Sequence, residues 1–170
     1  DFIEEHFYNY FVISLALIIF GILFILIENK NKESHKKLVD SIDKITYKQA
    51  FIVGLFQVIA AVFPGTSRSG ATILGGIAIG LSRTIAAEFT FFLAIPTMFG
   101  ASLLKLVKFG FSFTAMEAFV LLLGTAVSFI VSVITIKFLM NYIKNNDFKV
   151  FGYYRIALGV LVLIYFGLIR

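Results

Sequence analysis

Apolar residues run almost unbroken through four stretches, Tyr10 to Ile27, Thr84 to Leu104, Ala115 to Ile136 and Val150 to Ile169. At ~1.5 Å rise per residue, each would cross about 30 Å of hydrocarbon as a helix, so each predicts a transmembrane span. Two further apolar runs, Phe51 to Phe63 and Gly70 to Leu81, would reach only ~20 Å and cannot cross alone. Between them lies a polar insert, Pro64-Gly65-Thr66-Ser67-Arg68-Ser69-Gly70-Ala71-Thr72. The pattern predicts an all-α polytopic membrane protein with four transmembrane helices and one irregular region.

Three arrangements compete for Phe51 to Leu81: one broken span, two short spans, or a re-entrant helix-loop-helix hairpin (about 51–81) with its tip buried in protein. Cation placement discriminates among them. If the region returns to the side it left, Lys30, Lys32, Lys36, Lys37, Lys44, Lys48, Arg83, Lys137, Lys144 and Lys149 share one side, leaving Lys105, Lys108 and Arg170 on the other. That is a strong positive-inside bias, which a single crossing would blur. The hairpin is therefore favoured, and its shortness favours the re-entrant form, because irregular backbone is tolerated at depth only where protein or a water-filled cavity surrounds it. Tyr8 and Tyr10, Tyr47, Tyr142, Tyr153 and Tyr154 suit interfacial anchoring. The mixed-charge segment from Glu28 to Lys48 reads as a solvated cytoplasmic connection without chemistry, and Arg155 and Lys137 read as cations that snorkel from span ends.

Composition narrows the class. The chain is 59% hydrophobic and 15% charged over 170 residues, with a mean hydropathy of +0.95, which excludes an ordinary soluble domain. The net charge of +5 does not point to nucleic acid, since the lysines gather in connections between spans. Absence of cysteine excludes disulfides and thiolate metal sites. The first span follows acidic residues and lacks a basic leader and a small-residue cleavage site, so it reads as a mature span. Its likeness to the last span, both opened by tyrosines and carrying single glycines, fits one complete repeat of an inverted-repeat, transporter-like fold. On that reading residues 1–46 hold the last span of a first repeat and its connection, and 47–170 the second repeat.

The polar insert carries the candidate chemistry. Pro64 ends the incoming half-helix, and Gly65 and Gly70 permit the turn. Ser69 is the expected N-cap of the outgoing half-helix. Its free amides and positive dipole end suit a phosphate or carboxylate. Arg68 adds a planar fork able to grip two phosphate oxygens, and Ser67, Ser69 and Thr72 add neutral donors. A cation near the bilayer centre costs at least ~2.5 to 3.5 kcal/mol and marks function by default; the bland alternative is an arginine snorkelling from a surface loop beside serines that merely cap a helix. A Walker-type phosphate loop is excluded by spacing. A serine nucleophile is disfavoured because no base lies nearby in sequence. Gly76 and Gly80 form a small-xxx-small pair that admits a close neighbour.

These residues also carry a resemblance. Gly54-Leu55-Phe56-Gln57, the run from Pro64 through Ile73, Ser82-Arg83, Ala87-Glu88-Phe89 and Leu93-Ala94-Ile95-Pro96 closely resemble the C-terminal part of the bacterial undecaprenyl-pyrophosphate phosphatase family, also called the bacitracin-resistance protein family. The resemblance implies hydrolysis of a C55 prenyl diphosphate lipid to the monophosphate, recycling the carrier lipid for peptidoglycan synthesis. It also implies an inverted repeat with two re-entrant hairpins, in the bacterial cytoplasmic membrane, with the active site opening to the outer face. Arg68 would then be the catalytic clamp, and Gly65, Thr66, Ser67, Ser69, Gly70 and Thr72 would complete the diphosphate-binding run. The alternative function is a transporter or flippase that binds an anionic headgroup without hydrolysis. A homo-oligomer is compatible with the sequence, which does not specify one.

The family's other signature, a Glu-Gly-x-Thr-Glu-Phe-Leu-Pro run continuing through Ser-Ser-Thr-Gly to a histidine, does not occur here, and neither His6 nor His35 matches its histidine. The resemblance implies a divalent cation, Mg²⁺ or Ca²⁺, held by that signature's glutamates, so no metal ligand is assigned in this chain. A first residue Asp1 in place of Met agrees with a chain lacking an N-terminal portion, and such a chain is expected to be inactive alone. Glu88, one turn inside the second span, reads either as an interfacial carboxylate or as a partner of Arg68 or of the metal.

Overall fold

The computed structural model describes residues 9–33, 38–110 and 113–168, and of Lys32 and Glu33 only the backbone. Asp1, Glu4, Glu5, His6, Tyr8, His35, Lys36, Lys37, Ile169 and Arg170 lie outside the described residues. The described residues form six helices and no strand: α1 Tyr10–Glu33, α2 Tyr47–Val62, α3 Arg68–Ala78, α4 Arg83–Phe109, α5 Ala115–Asn145 and α6 Lys149–Leu168, with a 3₁₀ turn at Ile42–Lys44. Helices α1, α4, α5 and α6 are long and apolar enough to cross a membrane, and the 16-residue α2 is not. Helices α1, α4 and α5 outrun their apolar cores. Capping explains several of the ends: Thr46 and Gln49 form a capping box at α2, Thr114 and Glu117 another at α5, and Ser82 caps α4 by accepting from the Ile85 amide.

Helices α2 and α3 form a helix-turn-helix whose arms pack on each other. The contact is close because Gly75 lies under the Phe56 ring, where a Cβ would sit 2.6 Å from ring carbons. The short α3 is the centre of the molecule. Every residue from Gly70 to Ile77 is buried, enclosed by α1, α2 and α4, and Ile73, Leu74 and Ile77 join Phe24, Val53, Leu81, Ala86, Ala87, Ile143 and Phe148 in one core. Gly76 packs against Ala86 of α4, as its small-residue spacing suggests. Gly80 instead lies in the turn after α3 at φ 95°, with nothing within 4 Å of where a Cβ would stand. The segment before α2 closes the base of this hairpin: Val39 donates to the Gly80 carbonyl and accepts from the Ser82 amide, both at 2.9 Å.

Helices α1 and α6 run antiparallel in close contact. Tyr10 stacks on Phe166 at one end, and Phe24 meets Phe148 at the other. Between them small residues recur at matching intervals, Ser14 and Gly21 on α1, Gly152 and Gly159 on α6. A Cβ on Gly152 would stand 2.8 Å from the Gly21 carbonyl oxygen, and one on Gly159 2.9 Å from that of Ser14. Backbones approach this closely only across small residues, the usual device for packing helices in lipid. Gly152→Ala is expected to destabilise the protein by about 1–3 kcal/mol through overpacking against backbone. Gly124→Ala on α5, where nothing lies within 4 Å, should be neutral or stabilising by up to ~1 kcal/mol through helix propensity. Thermal unfolding in detergent checks the pair, and equal midpoints would refute this account of the α1–α6 contact.

One sequence-based expectation changes here. Glu28 does not belong to a solvated connection: it lies inside α1, 1% exposed, and Nε and Nη2 of Arg83 both donate to its Oε1. Helix α5 continues beyond Lys137 to Asn145. The exposed surface of α5 carries no charged residue between Glu117 and Lys137 and is dominated by large apolar side chains, and only Ile143 near its end is fully buried.

Candidate functional site: the hairpin tip

The tip follows from its residues. Pro64 offers no amide hydrogen and biases its predecessor toward extended backbone, and Phe63 at φ −101°, ψ 107° ends α2. Thr66 closes the turn, with Oγ1 donating to the Phe63 carbonyl at 2.8 Å. Gly65 at φ 91° lies against α1, where a Cβ would meet the Ile13 carbonyl oxygen at 2.7 Å; only glycine fits there. Ser67 then takes φ 61°, ψ 118°, a conformation that costs a non-glycine residue on the order of 1–3 kcal/mol and that clusters at functional sites.

Helix α3 begins at Arg68, not after Ser69. Ser67 is its N-cap, with Oγ accepting from the Gly70 amide at 3.3 Å, because the turn at Ser67 aims its own hydroxyl at the first open helix amides. Gly70 accordingly lies within the helix, and its role is close approach instead of a turn. The amides of Arg68 and Ser69 have no acceptor among the described residues, since the first turn of a helix precedes any carbonyl that could serve them. Ser67, Arg68 and Ser69 are exposed, and the two serine hydroxyls lie 3.4 Å apart. The tip thus presents two neighbouring hydroxyls, two open amides and an exposed arginine at the positive end of a helix dipole.

The other sequence-predicted residues sit behind it. Thr66 is buried. Thr72 is buried as well, its hydroxyl directed at the carbonyls of Arg68 and Ser69 at 3.0 and 3.1 Å and accepting from Thr90 of α4 at 3.0 Å. Thr72 therefore braces the first turn of α3 and ties it to α4. Glu88 is half-buried on α4, about 200° around the helix from Thr90, on the side away from α3. Among the described residues it makes no hydrogen bond or ion pair.

Arg155, read above as a snorkelling cation, is turned inward. Its Nη1 donates to the Thr66 carbonyl at 2.7 Å, its Cζ lies 5.3 Å from the centre of the Phe24 ring, and Nη2 stands 2.5 Å from where a Cβ on Gly70 would be. The rule that marks Arg68, a cation within an apolar span, applies equally to Arg155 and would have found it. Among the described residues no group of three or more His, Cys, Asp or Glu side chains comes together that could hold a metal ion.

The family model for the bacitracin resistance protein BacA matches residues 1–161. Among curated relatives, the undecaprenyl-diphosphatase of Desulfitobacterium hafniense is 65% identical over 167 residues, covering 98% of this chain and 60% of the relative. Undecaprenyl-diphosphatase 1 of Clostridium acetobutylicum is 63% identical over 166 residues, covering 98% and 60%, and the undecaprenyl-diphosphatase of Acetivibrio thermocellus is 58% identical over 170 residues, covering 100% and 62%. The chain thus spans about 60% of the length of the relatives it matches.

Proposed function

The chain belongs to the bacitracin resistance protein BacA family, and from that premise we propose that it supplies the phosphate-gripping part of a membrane hydrolase that converts undecaprenyl diphosphate to undecaprenyl phosphate and inorganic phosphate. The products would return a carrier lipid to cell-wall synthesis. The observation that carries this reading is the tip itself: Ser67, Arg68 and Ser69 exposed, with free amides, at the start of a helix otherwise buried. In such a reaction water adds to the terminal phosphorus, the anhydride P–O bond breaks, and the lipid monophosphate leaves. Catalysis rests mainly on positioning and on neutralising charge at the phosphoryl oxygens. Arg68 would hold two of those oxygens, while the amides of Arg68 and Ser69 and the hydroxyls of Ser67 and Ser69 complete the cradle. Thr66, Gly65, Gly70 and Thr72 shape it from behind.

The donor set of the tip suits an anion and does not fit a divalent cation, which needs several oxygen ligands, usually including carboxylates. On this reading the ligands of a Mg²⁺ or Ca²⁺ ion, and the proton-transfer group, belong to the part of the relatives that this chain does not span, and the chain alone is inactive. We further propose that the α2–α3 hairpin is re-entrant. The enclosure of α3 by protein supports this, since it satisfies the requirement on irregular backbone at membrane depth. The tip would face the outer side of the cytoplasmic membrane: it lies beside Ile13, near the Tyr10 end of α1, opposite the lysine-rich side. The antiparallel α1–α6 pair with matching small residues suits equivalent spans of an inverted repeat.

Phosphate release from undecaprenyl diphosphate by the full-length protein, purified and supplied with Mg²⁺ or Ca²⁺, tests the reading. Release is expected. Movement of the lipid headgroup across vesicles without phosphate release would overturn it in favour of a flippase.

A further inference from the structure

We propose that Arg155 is a positioning residue that turns the Thr66–Ser67 peptide so that the Ser67 amide joins those of Arg68 and Ser69 as a donor to the phosphoryl group. The proposal rests on the hydrolase reading above and extends its site to a third helix. Arg155 lies in α6, 89 residues along the chain from Thr66, yet its guanidinium holds the Thr66 carbonyl at 2.7 Å. In a trans peptide the C=O and N–H bonds point in opposite directions. A carbonyl drawn inward toward α6 therefore sends the next amide, that of Ser67, outward to the side where Arg68 and Ser69 are exposed. Without that hold, the plane could rotate, relax the φ of 61° at Ser67, and present a carbonyl oxygen to the anion in place of a donor.

The surroundings of Arg155 agree with a role beyond packing. Among the described residues it pairs with no carboxylate; its partners are one carbonyl, the face of Phe24 and the bare Cα of Gly70. A cation held at depth on neutral partners is costly in a membrane protein. Gly70 is the matching half of the device, because any side chain there would push the guanidinium aside. A lysine could still reach one carbonyl with one N–H donor, whereas an apolar chain of similar length could fill the space but not hold the oxygen.

The test compares Arg155→Met and Arg155→Lys in the full-length protein, with steady-state phosphate release and thermal midpoints measured together. Wild-type turnover must be present; its absence would refute the hydrolase reading itself. Arg155→Met is expected to lower kcat about 10²-fold, the cost of losing one preorganised donor, with KM changed less than about threefold. Arg155→Lys should recover at least about tenfold of that loss. Wild-type kcat in the methionine variant, equal losses in both variants, or an effect confined to KM would overturn the proposal. Should either variant fail to fold, Gly70→Ala, which displaces the guanidinium without altering it, is expected to reproduce the fall in kcat, and wild-type kcat there would likewise overturn the proposal.

Discussion

Replacing Arg68 with alanine in the full-length protein is expected to lower kcat/KM for undecaprenyl diphosphate about 10³-fold or more while leaving the thermal midpoint unchanged or slightly raised. The size follows from what a planar arginine contributes to phosphoryl transfer, typically about 10³ to 10⁵ in rate where it neutralises transition-state charge. The direction of the stability change follows from position. Arg68 is the first residue of α3, where the helix dipole disfavours a cation by roughly 0.3–1 kcal/mol. Its side chain is exposed and forms no ion pair among the described residues. The bond that does involve Arg68, from Thr72 Oγ1 to its carbonyl, is backbone and survives the substitution. A residue that opposes its own helix and supports no packing has its explanation in a ligand. Arg68→Lys should fall between the two, keeping charge but losing the fork that grips two oxygens. Unchanged phosphate release by the alanine variant would refute the clamp.

Much of this arrangement was legible in the sequence, and the rest was not, for physical reasons that differ by residue. The spans were readable because a membrane demands long apolar runs, and the break between α2 and α3 because a polar insert divides Phe51 to Phe63 from Gly70 to Leu81. Helix ends were less readable. Ser67 and Ser69 are both good caps by type, and the choice between them depends on the φ of 61° at Ser67, a backbone conformation that local propensity does not favour. Glu28 and Arg83 are far apart in sequence, so their pairing is invisible to any local pattern; each alone reads as a polar flank of a span. Thr72 carries a hydroxyl that sequence assigns to the ligand and packing assigns to Thr90. Arg155 differs, since the same membrane-depth argument applied to Arg68 would have flagged it.

The ion pair between Glu28 and Arg83 gives the second large effect, on stability instead of turnover. Arg83→Met is expected to destabilise the protein by about 3–5 kcal/mol, because it strands a carboxylate that is 1% exposed without a counter-charge. Glu28→Leu should cost less, since the Arg83 side chain is 30% exposed and can turn toward water. The double variant should recover most of the loss, as apolar replacement of a buried pair is often neutral. Thermal unfolding of the four proteins closes the cycle; a double variant less stable than Arg83→Met would refute the account. Activity per folded molecule separates this pair from the tip. Arg83 opens α4 directly after the Val39–Leu81 bridge, so the pair secures the base of the hairpin to α1. The 11 residues of α3 place that base about 16 Å from the tip. A core helix of that length, bound at its start by Thr72 to Thr90 and along its side to α2, keeps its outer end in place when its inner end loosens. Arg83→Met should therefore retain a kcat within about threefold of wild type in the folded fraction, where Arg68→Ala, in a fully folded protein, loses about 10³-fold or more.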